Sequence, residues 1–221
     1  MSFLSKEFFD LSSSILSSMF SSEEPVWTAL DRIQAFLKQA NLGQHESELA
    51  QGVYLPFPEQ VFIGKGCHIE PGAYLEGPCY IGEGCVVRHG AYIRSNVILA
   101  PKSVVGHASE VKGSIFLEGA KAPHFNYVGD SILGANVNLG AGVKCANLRL
   151  DRQEIVVRVG SEAVSTGRRK LGAILGDGCQ LGCNSVTNPG TLCVPGTVCS
   201  PCTSLKGYCK QGACSETKSH T

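Results

Sequence analysis

The sequence carries no surplus of charge: 19 Lys and Arg balance 19 Asp and Glu over 221 residues. No basic excess is left to neutralise nucleic-acid phosphates or to hold a polybasic segment at a membrane, so neither is expected as a partner. Nor is there an apolar run approaching the length of a bilayer span. At the N-terminus, Lys6, Glu7 and Asp10 interrupt Phe3–Phe20 and serines surround it, so no secretory leader is expected. What the chain has in quantity is glycine, at 26 residues, and cysteine, at 11. Its hydrophobic fraction of 43% fits one repeat domain with a small additional element.

The repeat is explicit. Ten six-residue frames run from Ile63 to Leu117, each opened by an aliphatic residue: Ile63, Ile69, Leu75, Ile81, Val87, Ile93, Leu99, Val105, Val111 and Leu117. Four residues after most of these comes a small side chain, such as Cys67, Ala73, Cys79, Cys85 or Ala91, and glycines punctuate the frames. An aliphatic residue at every sixth position does not follow the 3.6-residue helical period. It is three strand periods, which points every such residue the same way between short turns. The sequence is therefore predicted to be all-β, a parallel β-helix in which each coil buries its neighbour's core. The frame returns near Leu133 and Leu139 and resumes at Leu175, Leu181, Thr187, Cys193, Cys199 and Leu205. Its two lapses, at about residues 120–132 and 148–174, mark insertions, and insertions in a solenoid gather on one face that often binds ligand.

Cysteine takes the small inward position at Cys67, Cys79, Cys85 and Cys179 and the aliphatic one at Cys145, Cys193 and Cys199. Free cysteine behaves as a small core hydrophobe, so a reduced, cytoplasmic protein is expected rather than a disulfide scaffold. The stretch Cys199-Ser200-Pro201-Cys202, followed by Cys209 and Cys214, hints at a four-cysteine metal site. Cys199 is already an inward frame residue and the second spacing is loose, so no metal is expected. Cys209 and Cys214 fall in the polar tail and are expected to be accessible.

Residues 1–50 differ in kind. Phe8, Leu11, Ile15, Leu16, Met19 and Phe20 form one helical stripe, and Trp27, Leu30, Ile33, Phe36 and Leu37 form a second that ends near Gly43. They predict a short α-helical element that either caps the open end of the solenoid or docks another subunit. The expected division is a helical cap over 1–50, the β-helix over 51–207 and a flexible tail over 208–221. The insertion at 148–174 reads as a hairpin turning at Gly160-Ser161 and is locally basic. The segment Lys121–Asp130 breaks the repeat and exposes His124 and Tyr127, and histidine is the usual general base near neutral pH.

Four stretches carry a family resemblance: Pro123-His124 with Tyr127-Val128-Gly129-Asp130-Ser131, Asn138-Leu139-Gly140-Ala141-Gly142, Ala146-Asn147-Leu148-Arg149, and Gly167-Arg168-Arg169-Lys170-Leu171-Gly172. Over about residues 55–205 they resemble the acetyltransferase half of bacterial N-acetylglucosamine-1-phosphate uridyltransferases. The segments Gly119–Asn147 and Gly167–Gly176 are closer still to the C-terminal domain of archaeal sugar-1-phosphate nucleotidylyltransferases with amino-sugar acetyltransferase activity. The resemblance implies a left-handed β-helix, a homotrimer with active sites between subunits, and acetyl-CoA as cosubstrate. It implies catalytic roles for His124 as base and Asn147 beside the reacting groups, and contacts to a sugar phosphate from Arg94, Lys112, Tyr127 and Asn138. Cys183 and Pro201 are placed along the pantetheine arm by position in the repeat, and Arg168, Arg169 and Lys170 are candidates for the phosphates of coenzyme A.

The chain also departs from that pattern. Leu148 replaces the bacterial tyrosine, as in the archaeal group, and Gln153 and Val156 stand where the archaeal loop has lysines. No glycine-rich nucleotide loop precedes residue 60, so the chain alone is not expected to make a nucleotide sugar, whatever pyrophosphorylase name homology attaches to it. Two functions remain open: an N-acetyltransferase for an amino-sugar 1-phosphate, and a non-catalytic β-helix that binds sugar nucleotide or docks a separate nucleotidyltransferase.

Overall fold

The computed structural model describes residues 3–159, 161–210 and 213–214. Short parallel strands stack into three flat sheets of eight, eight and seven strands, with each coil of chain contributing one strand to each sheet. The first sheet runs from Val61–Ile63 to Tyr208–Cys209, the second from His68–Ile69 to Ala213–Cys214 and the third from Tyr74–Leu75 to Ser204–Leu205. This is the left-handed parallel β-helix that the resemblance implied. Inside, three stacks of like residues meet along the axis: Ile63, Ile81 and Leu99 from the first sheet, Ile69, Val87 and Val105 from the second, and Leu75, Ile93 and Val111 from the third. All are fully or almost fully buried.

The frame is obeyed through Val111 and then slips. The turn Lys112-Gly113 between Val111 and Ser114 is one residue shorter than Arg94-Ser95-Asn96 between Ile93 and Val97, so Phe116, not Leu117, pairs with Leu99 and enters the core. Leu117 instead points outward, where it is still buried. The reason lies in the outer row of the first sheet, which is apolar along its length: Ile98, Ile115, Ile132, Ile174 and Leu192 are all 0% exposed. The corresponding outer rows of the other two sheets carry His68, Lys121, Asn138 and Gln180, and Tyr74, Tyr92, Glu110 and Lys144. A sheet apolar on both faces must be covered on both.

The N-terminal segment supplies the cover. Phe3, Phe8, Leu16, Met19, Trp27, Leu30, Ile33 and Leu37 pack with that outer row into a second hydrophobic cluster. Phe36 meets Tyr80 at one end of the sheet and Phe3 meets Tyr208 at the other, so the segment spans the whole face. The stripe predicted as a first helix does not form one. Only 3₁₀ turns at Ser5–Glu7 and Ser17–Met19 appear, because serine and aspartate side chains there bond locally or to the solenoid: Ser14 Oγ to Glu118 at 2.8 Å, and Asp10 Oδ1 to the Ser12 amide at 3.0 Å. The second stripe begins as 3₁₀ at Val26–Arg32 and becomes α-helix at Ile33–Gln39.

Residues beyond the helix close the N-terminal end of the solenoid. Glu46 N–H donates to Ile63 O at 2.7 Å, Tyr54 N–H donates to Ala73 O at 2.9 Å, and Leu49, Val53 and Leu55 pack on the axis. The 1–50 segment is thus mostly a side cover, and only its last residues belong to the end cap. The inserted hairpin forms as predicted from Val156–Val159 and Glu162–Ser165, and its Ile155 and Val157 complete the cover. At the C-terminal end, strands continue past the expected limit at residue 207. Cys209 pairs with Cys193 and is buried, contrary to the expectation of an accessible tail thiol; the side chain of Cys214 lies outside the described residues.

Among the described residues only Cys183 and Cys202 have exposed thiols. Burial pushes Cys79 up to about 12 and Cys145 and Cys179 up to about 11, whereas the Cys85 thiol beside Cys67 pulls that one downward. Alkylation followed by mass analysis is expected to modify Cys183 and Cys202 first and Cys67 slowly. Cys79, Cys145 and Cys179 should react only in denaturant, and native modification of any of these three would contradict the packing described.

Candidate functional site

The turn from the second to the third sheet repeats in every coil, and two residues beyond each inward side chain it places a column along one corner. The column reads His89, His107, His124, Ala141, Cys183, Pro201. Its neighbours adopt left-handed backbone, including the non-glycines Ala108, Phe125, Asn184 and Cys202. At Gly106 a side chain would collide with the Pro123 carbonyl at 1.7 Å, so only glycine lets the Pro123-His124 segment come this close. Asn126, 2% exposed, fastens the turn: its Oδ1 accepts the His124 amide at 3.0 Å and its Nδ2 donates to Gly140 O at 2.8 Å. The His124 ring is exposed and makes no hydrogen bond among the described residues, while His89 and His107 stack with centroids 5.6 Å apart. The Nδ1 atoms of His89 and His107 lie 2.8 Å from the carbonyl oxygens of Pro71 and His89. A carbonyl only accepts, so both rings carry the proton on Nδ1.

The outer face of the third sheet gathers Arg94, Lys112, Tyr127 and Asn147. Arg94 and Lys112 stand on adjacent coils. Neither cation is free. Arg94 Nη1 meets Glu110 Oε1 at 2.9 Å, and Lys112 Nζ reaches the two Asp130 oxygens at 2.9 and 3.1 Å, where both side chains are largely buried. Asp130 also accepts from Asn147 Nδ2. A carboxylate can only accept, so the amide is fixed with Oδ1 turned to the Tyr127 hydroxyl, 3.4 Å away. Tyr127, Asn147, Asp130 and Lys112 thus form one chain of polar contacts. Gly129 makes room for it, since a side chain there would lie 2.7 Å from both Asn147 Nδ2 and the Tyr127 hydroxyl. The family resemblance assigns no role to Asp130 or Glu110. Asp130 was visible only as the end of the Tyr127–Asp130 motif, and its partners are 17 and 18 residues away.

Other expected residues are not brought to this face. Asn138 lies on the second sheet, between Lys121 and Gln180. Cys183 and Pro201 do share the His124 corner, on later coils. The basic run does not: it lies where the insertion returns from the third sheet to the first. There Arg168 pairs with Asp31 of the N-terminal cover, Arg169 Nε donates to Arg152 O at 3.3 Å, and Lys170 bridges Leu148 through its backbone. Within one chain, the run and the Cys183–Pro201 column occupy opposite edges of the third sheet.

Residues 75–211 match the family described as GMPPB C-terminal domain. The chain belongs to that family. Curated relatives include the bifunctional sugar-1-phosphate nucleotidylyltransferase/acetyltransferase of Sulfurisphaera tokodaii, 48% identical over 77 residues, which are 35% of this chain and 19% of that protein. The bifunctional protein GlmU of Methanococcus maripaludis is 47% identical over 77 residues, 35% of this chain and 18% of that protein. The match thus spans about a fifth of the length of these relatives. Among solved structures, the acetyltransferase domain of PglB from Neisseria gonorrhoeae is 15% identical with a TM-score of 0.33, covering 82% of this chain and 59% of that one. So loose a likeness adds nothing to the fold already described. No helix among the described residues of this family member is long and apolar enough to cross a membrane.

Burial raises the Tyr127 phenol above its ordinary 10.0, and the Glu110 and Asp130 charges push it the same way. The folded state therefore holds this proton more tightly than the unfolded chain does. Its contribution to stability is complete below pH 10.0 and lost as pH rises through the raised value. Tyr127→Phe is expected to flatten the alkaline fall in melting temperature without abolishing it, because Tyr80, Tyr92 and Tyr208 are shifted in the same direction. An unchanged alkaline limb would show that Tyr127 is not held in this environment.

Proposed function

We propose that the chain is a coenzyme-A-dependent N-acetyltransferase for an amino-sugar 1-phosphate, with glucosamine 1-phosphate as its substrate. The observation that carries this is the chain of polar contacts that joins Lys112, Tyr127 and Asn147 through Asp130 on one sheet face, with Arg94 on the adjacent coil and His124 at the other edge of the same sheet. A phosphomonoester suits Arg and Lys on its oxygens. In the reaction the sugar amine attacks the thioester carbonyl, the C–N bond forms, the C–S bond breaks and the thiol leaves. His124 takes the amine proton, work suited to a neutral imidazole. Because the His124 ring finds no partner among the described residues, the reading includes a homotrimer in which a second copy completes the site. Acetyl-CoA would then lie with its pantetheine arm along Cys183 and Pro201, and Arg168, Arg169 and Lys170 would meet it only from a neighbouring subunit.

A second reading is favoured by the ion pairs. Arg94 and Lys112 are each already matched to a carboxylate, so phosphate must compete with Glu110 and Asp130 for them. A face neutralised in this way also suits a non-catalytic β-helix that binds sugar nucleotide or docks a separate nucleotidyltransferase.

Thiol release from acetyl-CoA with a panel of amino sugars separates the two. Acyl transfer predicts turnover with glucosamine 1-phosphate, and far less with free glucosamine. Arg94→Ala should raise the KM for the phosphorylated sugar and narrow that preference. His124→Ala should lower the rate by about 10²–10⁴-fold at an unchanged melting temperature. Gly129→Ala should also slow turnover without unfolding the chain, since the added methyl displaces two side-chain ends and no backbone. No thiol release with any amino sugar, or wild-type turnover in His124→Ala, would remove the catalytic reading.

A further inference from the structure

Two cysteines depart from the pattern that the others keep. Among the described residues every free cysteine but Cys183 and Cys202 is buried, as a small core hydrophobe is expected to be. These two are exposed, and they stand at one corner on neighbouring coils. The pairing of Leu181 with Cys199 sets Cys183 beside Pro201, and Cys202 is the next residue. The Cys202 N–H donates to Cys183 O at 2.8 Å. A backbone bond of that length holds the two Cα atoms within the roughly 4.4–6.8 Å that a disulfide spans.

Neither packing nor backbone accounts for the pair. Both thiols lie outside the core. Cys202 has φ +59°, in the left-handed region. Asn184 takes the matching position one coil earlier, and asparagine is enriched in that conformation whereas cysteine is not. Among the described residues no third His, Cys, Asp or Glu joins the two in a group that could hold a metal ion. What remains is sulfur chemistry between two reachable thiols.

We propose that Cys183 and Cys202 form a thiol–disulfide exchange site for low-molecular-weight disulfides. One of the two, as thiolate, attacks a sulfur of the disulfide. An S–S bond to the protein forms, the small molecule's S–S bond breaks, and a small thiol leaves with the proton. The second cysteine then attacks the protein sulfur of this mixed disulfide, releases the other small thiol with its proton, and closes the Cys183–Cys202 bond. The protein dithiol is oxidised by two electrons, and the small disulfide takes them up as two thiols. The site lies on the corner where the pantetheine arm is proposed to run, an arm that ends in a thiol of the class exchanged here. The exchange itself requires no acyl transfer, so it stands or falls apart from that reading.

Incubation of the reduced full chain with oxidised glutathione, followed by intact mass and peptide mapping, tests it. The wild type is expected to lose a pair of hydrogens, with Cys183 joined to Cys202, no glutathione kept on either, and full reversal by dithiothreitol. Cys183→Ser and Cys202→Ser should each keep one glutathione on the remaining thiol, because the resolving partner is gone. Mapping assigns each adduct to its position, so reaction at Cys214 does not confound the result. Stable glutathione adducts on both cysteines of the wild type would overturn the proposal. A bridge from either cysteine to a different residue or to a second chain would do the same, as would failure of both to react or serine variants that keep no glutathione.

Discussion

The outer row of the first sheet governs how the rest of this molecule is arranged. Ile98, Ile115, Ile132, Ile174 and Leu192 stand one residue before the inward side chains, so the first sheet is apolar on both sides. Burying a large aliphatic side chain is worth about 1.5–3 kcal/mol. A row of five left in water would cost about as much as a small domain's whole stability margin. The N-terminal segment and the inserted hairpin answer this together. Phe8, Leu16, Trp27 and Leu30 come from one, Ile155 and Val157 from the other, and the Arg168–Asp31 pair joins the two at their meeting edge. The remaining two faces are left for other uses, and both sets of candidate residues are found on or beside them.

The chemistry of the third-sheet face is set by charge compensation. A stack of parallel strands brings residues 17 or 18 positions apart onto adjacent coils, and here that rule sets Asp130 against Lys112 on one side and Asn147 on the other. Partly buried charges need partners, and the pair supplies them. The same pairing orients Asn147 and, through it, Tyr127. A side chain that looks like a simple phosphate ligand in the sequence is, in the fold, one member of a network whose centre is a carboxylate. Any anion that binds there does so by displacing or sharing Glu110 and Asp130.

The His124 corner is built differently. Close backbone contact at Gly106, the Asn126 side chain and left-handed backbone at Phe125 hold the turn, while the imidazole itself projects with no partner among the described residues. Left-handed conformations at non-glycine residues are uncommon and cluster where the surrounding structure over-determines them. The turn is thus rigid even though the ring it carries faces solvent, an arrangement suited to completion by a second surface.

The six-residue period by itself determined the parallel β-helix, the inward cysteines and the interruption at 148–174, because each of these is a statement about neighbours along the chain. It could not show the slip from Leu117 to Phe116, since a turn shortened by one residue leaves an apolar residue at either position. Nor could it show that Phe8–Phe20 would pack as irregular turns: the apolar spacing fits a helix, but the serines found better partners in Glu118 and in the local backbone. At the site, the family resemblance brought Arg94, Lys112, Tyr127 and Asn147 to light, and coil register then put them on one face. The roles of Asp130 and Glu110 and the separation of Arg168 from Cys183 were decided by tertiary structure alone. They depend on contacts between coils, cover and insertion, whose sequence separations follow no period.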